Sequence, residues 1–359
     1  MSIRTLIVSL LRSDQAHEHF IILNKLKLLA LALLLTLIWI VSSASVMTTE
    51  EELAWDRVKA AQQHLVQWRT QHGTAPEAEA DLWKTGLIGV EWSGLTTTLG
   101  DLEAKRTACH PTWAIQYRRW FQSLGLKTGD PVSIFSSSSF PGLLLSALVA
   151  AESLDLDINL IVSLGSSTWG ANHPDSPWPV IAAELRYAGF VRKRADYYTL
   201  GGNGERGGSL SPEGAEIFRT TATGAGVELL TADSLEQMTA LKFKLLQKHK
   251  SKLLISIGGS HANMGNDENI LSLPPGLITS VGQGRGGDGV IGLALDEGMP
   301  VIHMLNLKRL STQIGLPYDS KPEKYLPGKS SLLWSVVGLS VFLIVMWRYR
   351  RWQLDTNDS

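Results

Sequence analysis

Two uncharged apolar runs, residues 28–47 and 332–347, lie near the two ends of the chain. A bilayer core about 30 Å thick requires roughly 20 helical residues, so the first run is long enough to span it and the second is at the short limit. Basic residues precede the first run and follow the second: Arg4, Arg12, Lys25 and Lys27, then Arg348, Arg350 and Arg351. The positive-inside rule then predicts that both ends of the chain are cytoplasmic.

This pattern predicts a protein of the cytoplasmic (inner) membrane whose main domain, residues 48–328, is extracytoplasmic or periplasmic. Residues 1–27 form a cytoplasmic segment and residues 348–359 a cytoplasmic tail. Two alternatives remain open. The first run could be a cleaved signal peptide, because it contains the small residues Ser43, Ala44 and Ser45, where a peptidase could cut. The second run could be a buried core helix, although the arginine-rich segment that follows it is typical of a membrane boundary.

The composition of the middle domain excludes several classes of function. Residues 48–328 contain 25 Lys and Arg against 30 Asp and Glu, a balance of −5, so nucleic acid is not an expected partner. Cys109 is the only cysteine in the chain and cannot form an intramolecular disulfide. The sequence contains no HExxH motif and no paired CxxC motif, so we expect no metal, and no motif indicates a cofactor.

Short apolar segments alternate with helical patterns through most of the domain. This alternation predicts an α/β fold with a mainly parallel sheet and helices on both faces, built as one unit or as two lobes. The principal strands are predicted at residues 132–135, 159–163, 253–257 and 301–305. Residues 77–110 are predicted to be irregular, and the basic segment 242–252 is predicted to be an exposed face.

Three predicted strands end in loops of small polar residues, at 136–139, 165–170 and 258–261. Ligands of parallel α/β sheets bind outside the carboxyl ends of the strands. We therefore expect these loops to form one crevice. The residues predicted to face it are Ser138, Ser139, Ser166, Trp169, Gly258 and Gly259.

The serine-rich turn at 136–139 allows three interpretations. It could cap a helix, bind an anion through hydroxyl and backbone N–H groups, or supply a nucleophile. No G-x-S-x-G elbow and no G-x-x-x-x-G-K-[ST] loop surrounds it. If the turn is catalytic, Ser138 and Ser139 are the nucleophile candidates, and His261 or His303 is the candidate base.

The candidates for binding an anionic ligand are residues that could supply charge or close backbone approach. They are Lys105, Arg106, Ser138, Ser139, Ser166, Ser167, Trp169, Gly258 and Gly259. Each has a purely structural alternative. The basic pair could be solvated, Trp169 could cover the core, and the glycines could belong to a flexible connection. His303 could likewise be a core histidine.

Five segments together resemble the bacterial poly-gamma-glutamate system protein family. They are TLGDLEAKRT at 98–107, SSFPG at 138–142, SLGSSTWGAN at 163–172, LSPEG at 210–214 and PVIHMLN at 300–306. The resemblance extends over about residues 50–320 and includes the N-terminal apolar run.

The resemblance implies a role in making, exporting or anchoring an anionic polymer, with poly-gamma-glutamate or the membrane subunits of its synthase as partners. It implies no reaction, because it brings no catalytic residues to these positions. We therefore expect a membrane-anchored accessory protein, more readily a binding protein than an enzyme. One alternative is a serine-dependent hydrolase or transferase acting on γ-glutamyl chains. A weaker one is a sugar- or nucleotide-binding α/β domain.

Overall fold

The computed structural model describes residues 26–27, 29–37, 47–280, 286–324 and 336–347. The chain divides into two units, and the larger, Met47–Tyr325, contains the sheet and its helices. In the other unit, the described residues 29–37 and 336–347 are helical. Within the described ranges, no helix combines the length and the apolar character needed to cross a bilayer. Both predicted spans, 28–47 and 332–347, lie partly outside the described residues, so the flanking membrane helices stay a prediction.

The strands of the larger unit are short. In chain order they are β1 (Thr96–Thr98), β2 (Pro131–Ser137), β3 (Asp157–Ser163), β4 (Ser166–Ser167), β5 (Tyr197–Thr199), β6 (Gly201–Gly202), β7 (Arg206–Gly208), β8 (Glu228–Leu229), β9 (Leu254–Ile257), β10 (Gly276–Ile278) and β11 (Val301–Met304). Seven of them form one sheet in the order β10-β11-β9-β2-β3-β5-β8. Every neighbouring pair is parallel except β10 with β11. The predicted α/β class with a mainly parallel sheet is therefore confirmed.

Ten α-helices precede, connect or follow these strands in the described part of this unit. They are α1 (Thr49–Gln71), α2 (Leu102–Ala108), α3 (Thr112–Ser123), α4 (Pro141–Glu152), α5 (Trp178–Tyr187), α6 (Pro212–Gly224), α7 (Leu235–Lys248), α8 (His261–Met264), α9 (Val290–Asp296) and α10 (Leu307–Ile314). The first begins at a capping box, in which Thr48 and Glu51 bond to each other's backbone N–H groups.

The central sheet is covered on both faces, because its strands are apolar on both. On β2, Val132 and Ile134 pack into one hydrophobic cluster and Phe135 into another. Residues that alternate along a strand point to opposite faces. The first cluster is completed by residues of α1, α3 and α4, and the second by residues of α7 and α9. The two clusters are the two sides of the core.

The sequence interpretation was wrong for two segments near the site. Residues 77–110, expected to be irregular, contain the helix α2 and the strand β1. The helix is only seven residues long, too short for a clear periodic pattern. Lys242, expected on an exposed face, is buried, because α7 turns it toward the end of the sheet, where it meets a buried carboxylate.

Replacing Ile134 by alanine should lower the free energy of unfolding by about 2–5 kcal/mol, because its side chain is fully buried in the middle of the central strand. Thermal or urea unfolding of the full chain measures this. Leu53→Ala is the matched control, since Leu53 is 63% exposed, and we expect a change within about 0.5 kcal/mol. Equal effects of the two substitutions would contradict the described packing.

Candidate functional site

The carboxyl ends of β2, β3 and β9 open into one cavity of about 470 Å³. Its walls come from the ends of these strands and the loops after them, from the segment 97–101, and from the glycine-rich segment 201–209. The lining residues with polar side chains are Thr97, Thr98, Asp101, Lys105, Ser137, Ser139, Ser163, Ser167, Asn203, Ser209, Ser260 and His261.

The order of the strands explains where the cavity lies. Strand β2 pairs with β3 on one side and with β9 on the other. The chain therefore winds through β3, β5 and β8 in one direction and reaches β9 and β11 in the other. The strand order therefore reverses between β2 and β9, and the loops after these two strands run in opposite directions. A crevice forms between such loops at the carboxyl ends of the strands.

Lys105 is the only positively charged side chain among the described residues that line the cavity. Only 2% of this residue is exposed, and its Nζ lies 3.9 Å from the centre of the Phe140 ring. Nζ contacts the carbonyl oxygen of Ser139 at 2.6 Å and Oγ of Ser167 at 2.5 Å. No described carboxylate forms an ion pair with it. Burial lowers the pKa of Lys105 to about 7, against a weaker opposing effect of Asp101.

Arg106, the second member of the predicted basic pair, is not part of the cavity lining. Its Nε and Nη2 each donate to a carboxylate oxygen of Asp319 at 2.6 Å. Consecutive residues of a helix point in different directions, so Lys105 faces the cavity and Arg106 faces Asp319. The structure therefore does not bring the predicted basic pair together at the cavity, and the Arg106 guanidinium already has a bidentate partner.

The structure divides the predicted serines between the cavity and the packed loops behind it. Ser139 and Ser167 line the cavity, and the N–H of Ser167 donates to Oγ of Ser139 at 3.0 Å. Ser138 and Ser166 are fully buried outside the lining, where the hydroxyl of Ser166 donates to backbone carbonyl oxygens. Ser166 and Ser167 form the short strand β4, in which adjacent side chains point to opposite sides, so only Ser167 reaches the cavity. Ser138 and Ser139 lie in the turn after β2, and only Ser139 lines the cavity.

Ser137 was not among the predicted site residues, yet it lines the cavity. Its Oγ is buried and has no hydrogen-bond partner within the described part of the chain. Ser137 is the last residue of β2, whereas the predicted strand ended at residue 135. Because the strand end was predicted two residues too early, Ser137 was not recognised as the strand-end residue that faces the cavity. A buried hydroxyl without a partner is a free donor for a ligand.

Trp169 and Gly258 also differ from their predicted roles. Trp169 has φ 64°, packs against the hydrophobic core and does not line the cavity. Gly258 lies outside the lining with φ 77°, and a Cβ there would collide with Oγ of Ser137. Its role is therefore to let the chain turn against β2. Gly259, the next residue, does line the cavity.

Neither candidate histidine is hydrogen-bonded to a serine hydroxyl within the described residues. His261 lines the cavity, but its Nδ1 accepts from the N–H of Gly204 and its Nε2 pairs with Oδ1 of Asn266. His303 is buried inside β11, and burial lowers its pKa to about 4. The prediction that one of them would be the base for a serine of the 136–139 turn is not supported by this geometry.

A second buried charge, Glu205, lies beside the cavity and was missed in the sequence. It is fully buried on the glycine-rich segment and accepts from the hydroxyls of Ser163, Thr199 and Ser260. Nζ of Lys242 lies 3.5 Å from its Oε1. Burial alone would raise the pKa of Glu205, but Lys242 and the hydroxyls outweigh it and lower that pKa. Ser163 and Ser260 thus use their hydroxyls to hold this carboxylate.

The cavity therefore offers one buried lysine nitrogen, the hydroxyls of Ser137, Ser139 and Ser167, and the backbone of several glycines. Such a donor set suits carboxylates and amides. Among the described residues, no group of three or more His, Cys, Asp or Glu side chains could hold a metal ion.

Comparison with protein-family models, with curated proteins and with solved structures finds no match to this chain. Its function is therefore inferred from the cavity and from the sequence motifs around it.

Lys105→Met should raise the thermal stability of the full chain, because it removes a buried charge that has no carboxylate partner. Between pH 7 and 10.5 the unfolded lysine is charged while the folded one is neutral, so the destabilisation by Lys105 declines as the pH rises. The gain in Tm should thus be larger at pH 6 than at pH 9, with a difference on the order of a few kcal/mol in stability. Lys127→Met, at an exposed position, is the control. A gain in Tm that is the same at both pH values would contradict the burial of this amine.

Proposed function

We propose that this chain is a membrane-anchored accessory protein of poly-gamma-glutamate synthesis, export or anchoring, and that its cavity binds the γ-glutamyl chain. The pathway is supported by the five motifs that resemble the poly-gamma-glutamate system family. Two of these motifs, 98–107 and 163–172, supply Lys105 and Ser167, which meet in the cavity. The resemblance and the cavity therefore concern the same residues.

The observation that carries the binding proposal is the position of Lys105. A buried lysine without a carboxylate partner is destabilising, so its retention at a cavity wall is best explained by a ligand. In the ammonium form it would attract a carboxylate, and the hydroxyls of Ser137 and Ser139, which line the same cavity, would add further donors.

The polymer matches this donor set. Poly-gamma-glutamate carries one carboxylate on each residue, joined by amide links, so hydroxyls and N–H groups can bind both parts of the repeat. The domain as a whole has a net negative balance, with 25 basic against 30 acidic residues over 48–328. Binding of the polyanion is thus confined to a local cavity and not spread over a basic face.

The membrane anchors belong to the same proposal. They rest on the apolar runs at 28–47 and 332–347 and on the basic residues that flank them. Anchors at both ends would hold the cavity near the outer face of the membrane, where membrane subunits of the synthase deliver the growing chain. The partners proposed are those subunits and the polymer.

A serine-dependent hydrolase or transferase acting on γ-glutamyl chains is the second candidate. The specific observation in its favour is the contact between Nζ of Lys105 and Oγ of Ser167, because a buried amine can replace histidine as the base. The nucleophile would then be Ser167 and not a serine of the 136–139 turn.

At pH 6, where Lys105 carries its charge, Lys105→Met should weaken binding of a γ-linked glutamate oligomer by about 10- to 150-fold, which corresponds to about 1.5–3 kcal/mol for a hydrogen bond to a charged group. Raised salt should weaken binding of the unaltered protein as well. Titration calorimetry with the purified full chain in detergent measures both effects. Lys127→Met should bind normally, and the oligomer with its carboxylates amidated should bind poorly. Equal affinity for the charged and amidated oligomers would overturn the proposal.

Reporter fusions test the proposed topology. Alkaline phosphatase fused after Pro212 should be active, because that position lies in the domain placed outside the membrane. The same enzyme fused after Trp352 should be inactive, because the arginine-rich tail stays in the cytoplasm. Activity of the second fusion would show that residues 332–347 do not span the membrane in the proposed direction.

A further inference from the structure

We propose that Ser167 is a nucleophile and Lys105 its general base, so that the cavity transfers acyl groups from amide or ester bonds. The contact between Lys105 and Ser167 in the structure supports the pair, whatever the substrate is. The choice of the γ-glutamyl amide as its substrate rests on the proposed function above, and the reaction goes beyond binding.

Lys105 and Ser167 are in direct contact at the cavity wall. Nζ of Lys105 lies 2.5 Å from Oγ of Ser167, within the range in which a base takes a proton from a hydroxyl. Both residues line the cavity, and 2% and 6% of their surfaces are exposed. Nζ also contacts the carbonyl oxygen of Ser139 at 2.6 Å. Because a carbonyl only accepts, one N–H of Lys105 points at Ser139, which leaves the nitrogen lone pair of the neutral amine for the Ser167 hydroxyl.

The surroundings of Lys105 favour the neutral amine that this chemistry requires. Burial lowers the pKa of Lys105 to about 7, so amine and ammonium are both populated near neutral pH. Two titratable groups act on it, Asp101 and Cys109, and burial raises the pKa of the Cys109 thiol to about 12, so that thiol stays uncharged. The other contacts of Nζ, from Ser139, Phe140 and Ser167, bring no charge.

Ser167 is held in place from two sides. It belongs to β4, which pairs with β1 so that Ser167 lies opposite Thr98. Its backbone N–H donates to Oγ of Ser139 at 3.0 Å. A Cβ at Gly100 would lie 2.8 Å from Oγ of Ser167 and 3.1 Å from Cε of Lys105, so a side chain here would crowd the Ser167 hydroxyl and the end of the lysine side chain.

The proposed reaction balances without any further reactant except water or an amine. Lys105 Nζ takes the proton of the Ser167 hydroxyl while Oγ forms a bond to the carbonyl carbon of the amide. The C–N bond then breaks, and the leaving nitrogen takes the proton from the Lys105 ammonium. Water or the amine of a second chain attacks the resulting serine ester and gives its proton to Lys105. The C–O bond to Ser167 breaks, and Lys105 returns the proton to Oγ. Water gives hydrolysis, and an amine gives transfer.

The cavity contains a further group suited to this reaction. The hydroxyl of Ser137 is buried, lines the cavity and has no partner among the described residues, so it can donate to oxygen that becomes negative during the attack. A cavity of about 470 Å³ is also large enough for a short segment of chain.

Two probes test the pair on the purified full chain in detergent. 4-Nitrophenyl acetate reports acyl transfer to the serine whatever the natural substrate is, and a γ-linked glutamate oligomer reports cleavage of the proposed one. We expect turnover of both, with a rate at saturating probe that rises roughly tenfold from pH 6 to pH 8 as Lys105 becomes neutral. Mass spectrometry of the acid-quenched reaction should find the acyl group on Ser167.

Variants assign the effect to these residues. Ser167→Ala should reduce turnover of both probes to background, while its affinity for the oligomer at pH 6 should fall by no more than about tenfold, the loss expected for one neutral hydrogen bond. Lys105→Arg keeps the positive charge but cannot act as a base, so it should lose turnover in the same way. Ser166→Ala is the matched control, because the hydroxyl of Ser166 bonds to carbonyls behind the cavity. His261 also lines the cavity and is the other candidate base. If Lys105 is the base, His261→Gln should leave the midpoint of the pH profile of the rate near 7.

The outcomes separate the reaction from the proposed function. Ser167-dependent turnover of the ester, with no binding of the oligomer, would support the pair and overturn the γ-glutamyl function. Binding of the oligomer with no Ser167-dependent turnover of either probe would overturn the pair and leave the binding function standing. Turnover that persists in Ser167→Ala, or an acyl group found on another residue, would also overturn the pair.

Discussion

The pairing of β2 with both β3 and β9 is the constraint on which the rest of the structure depends. Strand β2 is apolar on both faces, so its burial requires helices on both sides of the sheet. Because its two neighbours belong to opposite windings of the chain, the loops after β2 and β9 separate at the carboxyl edge. The cavity is therefore a consequence of strand order, and the loop residues decide only what chemistry it offers.

Much of this arrangement could be predicted from the sequence. The apolar segments that became β2, β3, β9 and β11 are recognisable because continuous burial selects aliphatic residues. Once they are taken as parallel strands, the strand-end rule directs attention to the loops that hold Ser139, Ser167 and Gly259, which all line the cavity. The signal is strong because it depends on the period and length of segments and not on any single residue.

What could not be predicted depends on single-residue geometry. Helix α2 has seven residues, so nothing in its pattern showed that Lys105 would face the cavity and Arg106 would face Asp319. The choice of Ser139 over Ser138, and of Ser167 over Ser166, is a matter of which way one loop residue points. Glu205 is acidic and lies among glycines, which is typical of an exposed turn, and only tertiary contacts with hydroxyls and Lys242 explain its burial.

Lys105 is the residue at which stability and function conflict. An apolar side chain of the same length would fill its site without the cost of desolvating an amine. The presence of a lysine at this position therefore points to a role for its Nζ. We propose two uses for that nitrogen near pH 7: the ammonium would attract a carboxylate, and the amine would accept a proton from Ser167. A carboxylate seated against Nζ would raise the pKa of Lys105 and so suppress the amine. If the proposed reaction holds, the amide carbon would lie at Oγ of Ser167, and the carboxylates of the same chain would lie in the cavity away from Nζ of Lys105.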